Sequence, residues 1–265
     1  MRLCSIASGS SGNCIYTGTE STHVLIDAGI SGKRVEAGLA QIGLTGHDID
    51  GILVTHEHSD HISGLGVLCR RYHTPIYATR RTLGALMQTG SLGKIDPSLL
   101  VEVEADESFT IKDLTVNPMH ISHDAADPVA YRFSYGKKRA AICTDLGVYN
   151  EYTVECLKGM DVLLLEANHD VNMLQVGSYP YPLKQRILGK RGHLSNENAG
   201  RLLGRVLHDD LKKVVLGHLS KENNLPELAY ETVRLEIELA DNPYHAQDFC
   251  IEVARRSDVS EIIEF

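Results

Sequence analysis

Residues 54–64 read VTHEHSDHISG, and their core, His56-Glu57-His58-Ser59-Asp60-His61, places three imidazoles and two carboxylates directly after the apolar Ile52-Leu53-Val54. An apolar run of this kind is a strand, and Thr55 onwards is the turn that follows it. In a tight turn His56 and His58 can point the same way, while Asp60 and His61 face an adjacent position. Neutral imidazole and carboxylate suit zinc, iron or manganese, and two donor pairs from one turn imply two metal ions side by side. A helix cap near Ser63 needs one small polar side chain, so three histidines and an aspartate exceed what capping requires. Glu57, between the pairs, is expected to be solvated or to support a ligand.

The same arrangement recurs along the chain. Asp27 follows VLI, His123 follows the strand through Met119, Asp145 follows AAICT, His169 follows VLLLEAN and His218 follows VVLG. Short apolar or β-branched runs are expected as strands at residues 3–7, 23–26, 51–55, 75–78, 114–119, 129–133, 139–144, 161–166 and 213–216. Helix-period stretches separate them at 33–42, 64–72, 80–87, 151–158, 196–207 and 227–239. This is a mixed α/β pattern with helices outside sheets, and strand ends gathered on one edge surround a common cleft.

At 265 residues and 43% hydrophobic, the chain can bury a full core, and no linker or like-charge run divides it. A single domain over residues 1–265 is expected. No stretch of 18 apolar residues appears, so a soluble, cytosolic protein with no membrane partner is expected. The six cysteines lack C-x-x-C spacing, which fits reduced, buried thiols. A net charge of −9 argues against a sequence-independent grip on nucleic acid, although bound divalent cations would make one site locally electropositive.

T-H-x-H-x-D-H after a strand resembles the signature of the metallo-β-lactamase fold, and VLIDAG, ISHDA, ICTDLG and LGHLS fall in the order that superfamily uses. SGSSGN, SHDAADP, EANHD, RGHLSNENAG and LGHLSKENN resemble the WalJ/YycJ (VicX) group of bacterial metallo-hydrolases. The resemblance implies an α/β, αββα four-layer sandwich, two mixed β-sheets covered by helices, and a nuclease with exonuclease activity on double-stranded DNA. It further implies two divalent ions, zinc or manganese with iron as a further candidate. His56, His58 and His123 would bind the first, Asp60, His61 and His218 the second, and Asp145 would bridge them. Asp27 is expected to orient a ligand by hydrogen bonding. His120, at the end of its strand, competes with the loop residue His123 for the third position. Larger nucleases of the superfamily carry an added clamp domain, whereas residues 146–217 here read as part of the same domain.

Two such ions can share a hydroxide and take up developing negative charge, which leaves lactams, thioesters and phosphodiesters all open as substrates. Three features favour a phosphodiester in nucleic acid, with DNA the expected substrate. His193 precedes a helix starting at Ser195 or Asn196, whose free N–H groups suit an anion. His169 with Asp170, or His193 itself, is placed to supply a proton to the leaving oxygen, and Asp60 belongs to the catalytic set. Lys184, Arg186, Lys190 and Arg191 collect between these histidines and suit a phosphate backbone. Ser10 and Asn13 of SGSSGN are further phosphate candidates. Two other readings stay open: a metal hydrolase of a small molecule such as a thioester, lactone or cyclic nucleotide, and a regulatory binding protein with a structural metal. The intact ligand set counts against the latter.

Overall fold

The apolar runs become strands because aliphatic and β-branched side chains gain most where both faces of a sheet are covered. The computed structural model describes residues 1–265, which divide into two compact units. The first comprises Met1–His120, Ala125–Lys137 and Arg255–Phe265, the second Ile121–Asp124 and Lys138–Ala254.

In the first unit β1 (Arg2–Ala7), β2 (Cys14–Gly18), β3 (His23–Ile26), β4 (Gly51–Leu53), β5 (Ile76–Thr79), β6 (Leu100–Val103) and β14 (Ile263–Glu264) form a sheet in the order β14-β1-β2-β3-β4-β5-β6. β1 pairs antiparallel with β14 and β2, and β2 with β3. From β3 to β6 all pairing is parallel. Parallel neighbours need a crossover, and the helices supply it: α1 (Gly32–Gln41), α2 (Ser59–Ile62) with α3 (Leu65–Tyr72), and α4 (Arg80–Gln88). Ile6, Tyr16, Leu25, Ile52 and Ile76 of the strands share a core with Val35, Leu39, Leu65, Leu68 and Leu86 of the helices. Each such side chain contributes about 1.5–3 kcal/mol on full burial.

The second sheet is mixed as well. β7 (Phe109–Ile111), β8 (Leu114–His120) and β9 (Val129–Tyr135) are antiparallel and belong to the first unit. β10 (Lys138–Cys143), β11 (Val162–Glu166), β12 (Lys213–Gly217) and β13 (Cys250–Val253) are parallel and belong to the second, giving the order β13-β12-β11-β10-β9-β8-β7. The second unit's helices are α5 (Glu151–Leu157), α6 (Val171–Val176), α7 (Tyr181–Leu188), α8 (Asn196–Val206) and α9 (Pro226–Glu238). No helix is long and apolar enough to cross a membrane.

Two mixed sheets with flanking helices are thus present as expected. The details differ in several places. β4 stops at Leu53 instead of continuing to Thr55, because the Thr55 N–H leaves the ladder and donates to the Asp27 side chain at 2.8 Å. β2, β6, β7, β13 and β14, and the short α6 and α7, were not expected, since segments of two to eight residues carry little periodicity.

Candidate metal centre

Parallel register carries the C-terminal ends of β3 and β4 to one edge of the first sheet, and those of β10, β11 and β12 to one edge of the second. At three of these ends the chain turns through a left-handed residue other than glycine: Asp27, Asp145 and His218 have φ of 62°, 57° and 58°. Such residues cost roughly 1–3 kcal/mol each and cluster at functional sites, where the surrounding structure holds them.

In the first unit, the 54–64 turn is organised by Asp27. This buried carboxylate accepts from the Thr55 N–H (2.8 Å), the Thr55 hydroxyl (2.8 Å) and His61 Nδ1 (2.7 Å). Burial pushes the Asp27 carboxyl up, against the opposing pull of His61. Thr55 Oγ1, having donated to Asp27, is left to accept from His56 Nδ1 at 3.0 Å. Asp27 therefore settles two tautomers, aiming Nε2 of both buried histidines away from itself. His56 Nε2 and His58 Nδ1 lie 3.0 Å apart, and His61 Nε2 and Asp60 Oδ2 lie 3.5 Å apart. The turn is clamped from behind at Gly29, where a Cβ would collide with the Asp60 carbonyl.

In the second unit, His123 Nδ1 donates to the Gly192 carbonyl at 3.0 Å, and His218 Nδ1 donates to Glu166 Oε1 at 2.7 Å. Both rings thus present Nε2, and each Nε2 lies 3.7 Å from the same atom, Asp145 Oδ1. Burial holds the His123 ring below its ordinary pKa, keeping the neutral form that binds metal.

These spacings fit a metal. With bonds of about 2.0–2.2 Å to nitrogen and oxygen, two donors of one tetrahedral ion stand about 3.3–3.6 Å apart, and the four in-unit pairs fall between 3.0 and 3.7 Å. The pinning of Nδ1 by a carboxylate or carbonyl is the support that metal-binding imidazoles receive in general. A cluster of histidine and aspartate able to hold divalent metal is present in these residues.

Glu166 was not anticipated. Asp145, Glu166, His193 and His218 each offer a donor atom within 4.8 Å of the others, which makes Glu166 a formal ligand candidate. Its two oxygens instead accept four N–H bonds, from His193 Nδ1 (2.9 Å), His218 Nδ1 (2.7 Å), the Leu146 N–H (2.7 Å) and the Leu194 N–H (3.0 Å). Burial opposes its charge, but the His193 and His218 imidazoles outweigh burial and hold the carboxyl well below the usual range. Glu166 is a buried anion fixing two imidazoles. Its signal in the sequence is a glutamate closing the apolar run VLLLE.

His123 and His120 are separated by environment. His120 is exposed at the end of β8, whereas His123 is buried with its ring fixed. His169, expected as a proton donor, is 1% exposed, is pushed down to about 4 by burial, and contacts Asn168 Oδ1 through Nδ1 at 3.3 Å. Its carbonyl accepts the Asn196 N–H at 2.9 Å, and its neighbour Asp170 caps α6 through the Met173 N–H.

Several residues expected to contact phosphate are already engaged. Asn13 is buried and bridges Gly9, the Asp60 carbonyl and His61 Nε2. Ser195 caps α8 through the Asn198 N–H, and Asn196 forms a reciprocal amide pair with Asn224. Lys184 Nζ donates to the Gln175 and Gly177 carbonyls, and Arg186 pairs with Asp124 at 2.5 and 2.9 Å. Each is held by partners within its own unit, bonds that turning to a substrate would give up. Ser10 and Lys190 remain exposed. Glu57 accepts the Ala126 N–H at 2.8 Å, a structural role within the first unit.

The class so defined is an α/β protein of two mixed sheets carrying a histidine and aspartate cluster for divalent metal. Residues 22–218 match the model of the beta-lactamase superfamily domain, and the chain belongs to that family, with the metallo-β-lactamase fold. Exodeoxyribonuclease WalJ of Streptococcus pneumoniae serotype 2 (strain D39 / NCTC 7466) is 44% identical over 236 residues, which are 89% of this chain and 88% of the relative. Exodeoxyribonuclease YycJ of Bacillus anthracis is 42% identical over 233 residues, 88% of either chain. Among solved structures, Zn(2+)-bound PqqB from Methylobacterium extorquens superposes with a TM-score of 0.73 at 17% identity, covering both chains in full. That likeness concerns the fold alone.

Proposed function

We propose that this protein is a metal-dependent phosphodiesterase of nucleic acid, a DNA exonuclease. The observation that carries the reading is the pinning of His61, His123 and His218 through Nδ1 by Asp27, the Gly192 carbonyl and Glu166. The names of the two relatives above, each matched over most of its length, support DNA as the substrate.

In this reading His56, His58 and His123 hold one ion, Asp60, His61 and His218 hold a second, and Asp145 is shared, zinc or manganese being the metals this donor set favours. When bound, two such ions lower the pKa of water and neutralise charge developing on a phosphate. The remaining work falls to the chain's own groups. His193, 15% exposed at its side chain, holds a proton on Nδ1 for Glu166, which leaves Nε2 to act on the substrate. Nε2 is the atom from which a proton passes to the departing 3′ or 5′ oxygen. Glu166, accepting from Nδ1 at 2.9 Å, keeps that ring in place for the transfer. None of the six cysteines is in a disulfide and five are buried, which supports action in a reducing cytoplasm.

The test is end-labelled double-stranded DNA incubated with the chelator-treated protein and then with manganese or zinc. Nucleotides should be released from an end with either metal restored and not without it. Intact DNA alongside hydrolysis of a thioester or lactone would replace this reading with that of a small-molecule hydrolase.

A further inference from the structure

Residues 171–196 contain no Asp or Glu and carry Lys184, Arg186, Lys190 and Arg191, in a chain whose net charge is −9. The segment is fastened to the second unit's half of the site. Arg191 Nε donates to the His123 carbonyl at 2.9 Å, Ser122 Oγ to the Lys190 carbonyl at 2.9 Å, and the His193 N–H to the Ile187 carbonyl at 3.0 Å. On its outer side it exposes Val176 (85%) and Tyr181 (73%), two of the most exposed large apolar side chains in the protein.

Tyr181 is also held still. It lies between Pro180 and Pro182 at the first turn of α7, where proline fixes its own φ and restricts the residue before it. Lys184, one turn further along, clips the end of α6 through the Gln175 and Gly177 carbonyls. An exposed aromatic ring on a stiff backbone loses little entropy on binding, and every nucleobase presents a face on which it can stack.

We propose that Tyr181, with Val176 exposed in the same α6–α7 segment, is a stacking platform for the bases of the strand being cut, the positive charge of Lys190 and its neighbours serving the attached phosphates. The inference rests on the nuclease reading above and adds a substrate-binding surface to it. Along α7, Tyr181 stands about 10 Å from the Leu188 end, roughly three base steps at a duplex rise of 3.4 Å. The platform thus holds bases a few positions from the bond broken near His193, and because stacking is indifferent to base identity, broad sequence tolerance follows.

The experiment compares wild type, Tyr181→Phe and Tyr181→Ala on an end-labelled oligodeoxynucleotide, on the same strand with abasic sites near the cleaved end, and on bis(p-nitrophenyl) phosphate. Stacking on one base is worth about 1–3 kcal/mol, so Tyr181→Ala should lower kcat/KM on the ordinary strand by about 5- to 150-fold. Tyr181→Phe should stay near wild type. On the abasic strand and on the small diester, Tyr181→Ala and wild type should be equal. An unchanged kcat/KM for Tyr181→Ala on the ordinary strand overturns the platform and leaves the nuclease reading intact. Equal losses on all three substrates overturn it too, marking Tyr181 as structural. Wild type that cleaves the small diester and no strand removes both readings together.

Discussion

Asp145→Asn should leave a folded protein whose DNA cleavage falls by about 10³-fold or more, the several kcal/mol that metal-centred charge neutralisation contributes. The expectation follows from one atom. Asp145 Oδ1 stands 3.7 Å from both His123 Nε2 and His218 Nε2, and in the proposed reading it is the oxygen the two ions share. An amide keeps the size and the left-handed φ, which Asn tolerates as well as Asp, while removing the charge. Circular dichroism should therefore match wild type, and metal content measured by plasma mass spectrometry should drop. Full activity with full metal content would show that Asp145 only turns the chain after β10.

His193→Gln should lower kcat on DNA by about 10²–10⁴-fold, the range for loss of a general acid. On bis(p-nitrophenyl) phosphate the loss should nearly vanish, because p-nitrophenolate departs without a proton. The contrast between leaving groups separates this role from metal binding: His193 is held by Glu166 at 2.9 Å, and its substitution should leave metal content unchanged. An equal loss on both substrates would make His193 a ligand or a prop, and the proton would have to come from elsewhere.

The fold was legible because its parallel strands are continuous apolar runs ending in residues that apolar runs do not otherwise tolerate. Asp27, His56, Asp145 and His218 announced themselves by that position. What stayed hidden is instructive in each case. The left-handed backbone of Asp27, Asp145 and His218 depends on how the strand end meets its neighbours, which no local pattern encodes. Glu166 looked like the last residue of a strand, and its four N–H partners come from positions 20 to 52 residues away. Asn13, Asn196, Lys184 and Arg186 were read as phosphate candidates from their residue types and positions, and their partners within the fold could not be read there. The same chemistry lets them staple loops, and near a site crowded with backbone turns that need is met first. The basic charge of residues 184–191 was visible, but α7, which gives it a rigid frame, was obscured by its flanking prolines.

The most direct test of the account is the number of divalent ions held per chain. Metal-free protein titrated with zinc or manganese by calorimetry, and checked by plasma mass spectrometry after gel filtration, should bind two ions per chain, with both lost from His56→Ala/His218→Ala. Binding of a single ion, or of none, would contradict a two-metal centre built from the His56–His61 turn, His123, Asp145 and His218.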